Sequence, residues 1–462
     1  MWTQRDQLQA YQYLRRRLVS AIQRGDANHP ASPSRRVVVS YGLGATAALL
    51  IVAGFGIYGL VRPGANQNWR APGQVVIEKE SGAEFVLAAD GLMHPMLNYA
   101  SARLLAGGDG TATTVVSARS LAGAPRGAPL GIAGAPNSLP AKDRLLTGAW
   151  TVCSQTAADG PAQSPATSVA MLGPPPASPP VPADRALIVS GPAGQRYAVI
   201  AGRLLHIRDQ DTAAALGFDQ VTPVPVPDSW VSAVTRGPEL ALVDVAGAGG
   251  QGPTVDGKST QVGEVLVVRS EGSTDRYYLV QGPSTVVAVS QTKAALVLGG
   301  ESPVQVSARA IGKVAQAQQP SDGYPLIKPQ PLPAPGSGDA VCAVRTGPQQ
   351  SEVRISKGVP LPPGAKAIPA RVQSDSAQVA DKVFVPPGQG ALVRDQQSPG
   401  DTTGTVYLLT DTGVRYPVGG GDAQKALGYG GVTATPVDYT VLALFPTGPV
   451  LDIVSAGRQV AR

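Results

Sequence analysis

Residues 37–61 read VVVSYGLGATAALLIVAGFGIYGLV, twenty-five residues without a charged side chain, with Arg35 and Arg36 before them and Arg62 after. At 1.5 Å per residue a helix of this length reaches roughly 37 Å, enough to cross a hydrocarbon layer of about 30 Å with some tilt. A cleaved signal peptide would carry an apolar stretch of about 7–15 residues nearer the N-terminus, followed by a small-residue cleavage site. This run is longer and starts later, and no such site is evident after Val61. The segment is therefore expected to be a permanent anchor. It leaves 36 residues on one side of a membrane and about 400 on the other.

The flanking bases set the expected orientation. Seven arginines precede the run (Arg5, Arg15, Arg16, Arg17, Arg24, Arg35 and Arg36), against Asp6 and Asp26. After it, as far as Ser81, come only Arg62, Arg70 and Lys79, with Glu78 and Glu80. The positive-inside bias puts the N-terminus in the cytoplasm and the large C-terminal part outside, beyond the plasma membrane.

Composition shapes the exported part. With 55 glycines, 43 prolines and 5% aromatics among 462 residues, it reads as short strands joined by turns, mainly β with short helices, an α+β chain. The net charge of +6 is small and sits largely in the N-terminal head, so nucleic acid is not an expected partner. The two cysteines, Cys153 and Cys342, both fall on the exported side, where an oxidising compartment favours one disulfide. Closing a loop of 189 positions gives roughly 5 kcal/mol as an upper figure in the chain-entropy view. Only His29, His94 and His206 are present, and none has metal-ligand spacing, so no metal and no cofactor is expected.

Before the anchor, Leu8, Tyr11, Leu14, Leu18 and Ile22 follow the 3–4 spacing of one helix face, with Arg15, Arg16 and Arg17 near the middle. The face suits docking to a cytoplasmic partner; an interfacial helix touching anionic lipid is the other reading. Beyond the anchor the chain repeats itself. Ala215–Leu240 and Ala426–Leu451 share Ala-Leu-Gly, Val-Thr, Pro-Val and a final Gly-Pro-x-Leu at a constant offset of 211, and Asp211 and Asp422 precede the shared turn. GQRYAV at 194–199 resembles GVRYPV at 413–418, and looser copies begin at Asp275 and Ala83. Each unit reads as two strands, a short helix and a proline-flanked extended segment. Such units bury their apolar faces only by packing on one another or on a shared centre.

One stretch matches a catalytic motif. Gly252 to Ser259 (GPTVDGKS) fits GxxxxGK[ST], whose glycines, here Gly252 and Gly257, with Lys258 and Ser259, would cradle phosphates and Mg²⁺ in a true phosphate loop. That loop needs a helix after it, whereas TQVGEVLVVRS reads as another strand, so a hairpin-like linker is expected. No acid–base–nucleophile set stands near His94 or His206, and no catalytic residue is assigned. A cell-wall-binding module remains a third class, disfavoured by the lack of clustered aromatics.

The chain resembles the EccB family, membrane-anchored components of mycobacterial type VII (ESX) secretion. The resemblance rests on YQYLRRRLVSAIQRGD (Tyr11–Asp26), HPMLNYASARLLAG (His94–Gly107), SLAGAPRGAPLGIAGAPNSLP (Ser120–Pro140), WTVC (Trp150–Cys153) and the second cysteine. It implies a periplasmic domain of four strand–helix repeats around a central β-rich core. It implies a structural role in the secretion complex beside EccC, EccD, EccE and the mycosin protease, with self-association through the periplasmic domain. Some members bear the label ATPase. The expected segments are 1–36 cytoplasmic helix and linker, 37–61 membrane helix, 62–80 linker and 81–120 first repeat. Residues 121–184 form the first part of the centre with Cys153 and the Pro-rich loop, followed by 185–245 second repeat and 246–318 third repeat. Residues 319–400 form the second part of the centre with Cys342, and 401–462 the fourth repeat.

Overall fold

A computed structural model describes residues 3–28, 34–61, 67–109, 112–156, 166–317, 322–347, 350–370, 379–398 and 400–460. By compactness the chain divides into two units. One is Met1–Arg70 with Glu78–Ser81 and Val115–Ala124; the other is Ala71–Ile77, Gly82–Thr114 and Pro125–Arg462.

The first unit holds two long helices and two short helical turns, Asn68–Arg70 and Ala118–Leu121, among its described residues. Gln4–Arg24 starts on a capping box, in which Thr3 and Asp6 satisfy each other's backbone N–H groups, and stops at Gly25, whose φ of 70° lets its N–H reach the Ala21 carbonyl. Ser34–Val61 is the apolar helix; its spanning stretch is Arg35–Gly59, so Arg35 and Arg36 sit at its start. The Thr46 hydroxyl donates back to the Gly42 carbonyl at 2.8 Å, which keeps a polar group paired on an apolar helix. Arg62 lies outside the described residues.

The second unit repeats one arrangement. In its clearest copy, Arg185–Ser190, Arg196–Ile200 and Arg203–Ile207 form an antiparallel meander. The helix Gln210–Leu216 follows, then Val224–Pro225 runs parallel to the first strand, the helix Asp228–Ala233 crosses, and Thr235–Arg236 runs parallel to the third. The next copy does the same with Val265–Val268, Arg276–Gly282, Thr285–Val289, the helix Gln291–Leu298 and parallel returns at Val304–Gln305 and Ala315–Ala317. The last copy uses Ala391–Gln396, Val406–Leu409 and Arg415–Pro417, with Thr435–Asp438 parallel to the first strand. In the first copy Val75–Glu78, Glu84–Leu87 and Met93–Pro95 make the meander, and bridges from Met93 to Arg126 and Met96 to Leu130 run parallel.

The shared Ala-Leu-Gly has a physical reason. Gly217 and Gly428 both hold positive φ, 77° and 94°, where they end the helical turn. The sequence reading differs from the fold in two respects. Each meander has three strands, not two. The first and fourth copies begin at Val75 and Ala391, inside the segments assigned above to the 62–80 linker and the 319–400 centre. Their opening strands, VVIE and ALVRDQ, are largely buried and lack the two-residue alternation that marks a strand with one wet face.

Between the copies lies a six-stranded sheet built from two distant stretches. Trp150–Gln155 and Thr167–Leu172 form one hairpin, Ala340–Gly347 and Gln350–Ser356 the other, and Lys382–Phe384 with Ile368–Pro369 complete the far edge. The hairpins join where Trp150–Gln155 lies antiparallel to Ala340–Gly347. One core cluster unites this sheet with the second and fourth copies through Trp150, Trp230, Val341, Val393, Val441 and Phe445. The second and third copies share a cluster with Phe218 and Leu296; the first and fourth share one with Leu104, Leu427 and Tyr429.

Candidate functional site

The surface that distinguishes the N-terminal unit is a stripe of apolar side chains. On Gln4–Arg24, Leu8, Tyr11, Leu14, Leu18 and Ile22 stand one helical turn apart, and each is more than half exposed. Full burial of such a side chain contributes roughly 1.5–3 kcal/mol, so five in a row make a face that gains from being covered. The structure sets them on one face as the spacing requires.

The GxxxxGKS stretch folds as a hairpin. Gln251–Val255 pairs antiparallel with Lys258–Gln261, and Asp256 and Gly257 make the two-residue turn with φ of 52° and 76°. Asp256 accepts from the N–H and hydroxyl of Ser307, at 2.6 and 2.8 Å. Those bonds hold its carboxyl below the usual range, the backbone bond first. Gly252 is buried where a Cβ would sit 2.6 Å from the Thr260 hydroxyl oxygen. Lys258 and Ser259 point out from a strand. The helix N-terminus that gathers amide donors around phosphate is replaced here by a β ladder.

Cys153 and Cys342 face each other directly across the two central strands and are bonded, with S–S 2.06 Å. Both are fully buried. His206 contacts Glu239 at 3.1 Å, and His94 contacts Asp90 and the Ala128 carbonyl; His29 lies outside the described residues.

Sequence reasoning missed the polar junction that fastens the repeats to the centre. Arg345, on the central strand Ala340–Gly347, donates to Asp438 of the fourth copy at 2.6 Å, and to the Thr235 hydroxyl and Ala233 carbonyl of the second copy at 3.0 and 3.4 Å. Asp438 in turn caps the helix Tyr439–Leu442 through the Thr440 N–H. A cleft of about 410 Å³ opens beside it, and its two charged groups, Arg345 and Asp438, are bonded to each other. Nearby, the Trp230 indole donates to the Val341 carbonyl at 2.9 Å. The only sequence signal was an arginine closing the apolar run AVCAV.

Residues 1–460 match the family described as type VII secretion system ESX-1, transport TM domain B, or EccB. The chain is 27% identical to the ESX-5 secretion system ATPase EccB5 of Mycobacterium tuberculosis H37Rv, covering 98% of this chain and 92% of that one. It is also 27% identical to the ESX-3 secretion system ATPase EccB3 of Mycolicibacterium smegmatis, covering 97% and 89%. Its fold is similar to a chain in the structure of an intact ESX-5 inner membrane complex, with TM-score 0.67, 24% identity and coverage of 100% and 96%. It is similar also to the EccB3 dimer from the ESX-3 core complex, with TM-score 0.67, 24% identity and coverage of 84% and 100%.

Proposed function

Because the chain belongs to the EccB family of type VII secretion, we propose that it is a structural subunit of an ESX membrane complex, anchored in the plasma (inner) membrane by Ser34–Val61. The observation that carries this reading is a family match running from the N-terminal helix through the membrane helix to the last repeat. In this reading the N-terminus is cytoplasmic, as its seven arginines favour. The repeat domain is periplasmic and self-associates. The stripe of Leu8, Tyr11, Leu14, Leu18 and Ile22 docks on the inner scaffold, with EccC, EccD, EccE and the mycosin protease as the partners, and Arg35, Arg36 and Arg62 meet the lipid headgroups. The Cys153–Cys342 bond clamps the central sheet between the repeat pairs. The relatives' printed names include the word ATPase; we do not extend it to Gly252, Gly257, Lys258 and Ser259, whose hairpin geometry offers a nucleotide no amide cradle.

The test is isolation of the tagged full-length chain in mild detergent, with mass spectrometry of what accompanies it. Recovery of secretion subunits in a large species is the expected result. A free monomer, or peptidoglycan fragments as the main companion, would overturn the reading.

A further inference from the structure

In the first copy, His94 on the strand Met93–Pro95 is buried, 6% exposed, and both of its ring nitrogens are engaged. Nδ1 lies 2.7 Å from the Ala128 carbonyl oxygen and Nε2 lies 2.9 Å from Oδ2 of Asp90. A carbonyl oxygen only accepts. The Asp90 carboxyl is held below its ordinary range, first by the Leu92 N–H and then by His94, so as a carboxylate it only accepts as well. Two acceptors call for two N–H donors, which the imidazole has only when protonated. A neutral ring has one N–H and turns a lone pair toward one of the two oxygens.

The ring lies under the loop 125–130, which returns along the third strand of the first copy. The Met93 N–H donates to the Pro125 carbonyl at 2.7 Å, Gly127 donates to Met93 at 3.1 Å, and Leu130 to Pro95 at 3.0 Å. A Cβ on Gly127 would fall 2.3 Å from the His94 ring, so the loop backbone rests on the imidazole itself. The same loop continues to the C-terminal segment, where Gly131 donates to the Arg458 carbonyl at 3.2 Å and Leu130 bridges to Gln459.

We propose that His94 is a proton-operated latch, which fastens the loop 125–130 of the first copy to the turn at Asp90 when the imidazole is charged and loosens it when the imidazole is neutral. The other charged groups on the elements around the ring are Glu84 on the paired strand, Arg126 on the loop, Arg103 on the following helix and Arg458 on the C-terminal segment. The guanidinium of Arg126 lies over Phe85 at 4.5 Å and that of Arg103 over Tyr99 at 5.1 Å. Burial pushes the Glu84 carboxyl up to about 7, so it changes charge between the two pH values of the test and is silenced there.

The test is hydrogen exchange of the full-length chain in detergent at pH 5 and pH 8, as protection factors normalised to intrinsic exchange, in a Glu84→Gln background. Peptides carrying the Gly127 and Leu130 amides are expected to lose about tenfold in protection at pH 8, the scale of one lost hydrogen bond. In Asp90→Asn the side-chain amide donates to Nε2 of the neutral ring, so protection should stay high at both pH values. Asp90 is half exposed, which makes this variant safe to fold. Equal protection at the two pH values before the Asp90 change, or a pH dependence that survives it, would overturn the latch.

Discussion

The Arg345–Asp438 pair makes a sharp prediction because its partners are unequally buried. The arginine side chain is 7% exposed and the aspartate 28%. Removing one member of a buried pair costs about 3–5 kcal/mol when the other charge stays buried without compensation. Asp438→Asn does that to Arg345 while keeping the helix cap, since asparagine caps as well as aspartate. With Asp438 near the surface, the lower end, about 3 kcal/mol, is expected. Arg345→Met removes the buried charge together with its desolvation cost, keeps most of the volume, and leaves a carboxylate that water can reach. Its expected cost is about 1 kcal/mol, for the lost bonds to Thr235 and Ala233. The double variant should resemble Arg345→Met alone, giving a coupling of about 3 kcal/mol. Urea unfolding followed by tryptophan fluorescence reads this locally, because Trp230 is fully buried in the same core cluster as Trp150 and Val341. If Arg345→Met costs as much as Asp438→Asn, or the two effects add, the ion pair is not what fastens the fourth copy to the central sheet.

Changing Leu14 and Leu18 together to Asp should remove several kcal/mol of docking energy while the chain still inserts, so the protein runs as a small species on native gels; normal entry into a large complex would favour the lipid-surface role of Arg15, Arg16 and Arg17. Lys258→Ala should leave secretion intact, because the residue is exposed on a hairpin strand; ATP hydrolysis by the exported domain that this change abolishes would refute the reading. Replacing Cys153 and Cys342 by alanine should lower the stability of the central sheet by as much as about 5 kcal/mol, read as a fall in the urea midpoint. An unchanged midpoint would remove the clamp.

What the sequence disclosed was whatever depends on local pattern. An uncharged run of this length has one favourable environment, so the apolar helix expected over 37–61 was legible, and the structure starts it three residues earlier at Ser34. The face on Gln4–Arg24 was legible for the same reason, since 3.6-residue periodicity puts Leu8, Tyr11, Leu14, Leu18 and Ile22 together whatever else the chain does. The β character after Ser259 was legible in TQVGEVLVVRS, and the structure has a strand, Lys258–Gln261, where a phosphate loop needs a helix. The repeats were legible where they carry a conformational demand, as at Gly217 and Gly428. Their opening strands were not, because VVIE and ALVRDQ are largely buried and lack the two-residue alternation that marks a strand with one wet face.

The features that join elements were hidden because their partners are distant and often backbone. Arg345 gathers Ala233, Thr235 and Asp438 from two copies, more than 90 positions away on either side. His94 meets the Ala128 carbonyl 34 positions on, and a carbonyl leaves no trace in a sequence. The two cases nevertheless differ in what they ask of the molecule. Arg345 bears a fixed charge opposite a carboxylate, so its junction holds at any pH where Asp438 is ionised. In the proposed latch the His94 imidazole instead meets two acceptors, Asp90 and the Ala128 carbonyl, both within the first copy. The fold therefore puts a fixed-charge fastening where the copies meet the central sheet, and the proposed releasable one lies within the first copy, beneath its loop 125–130.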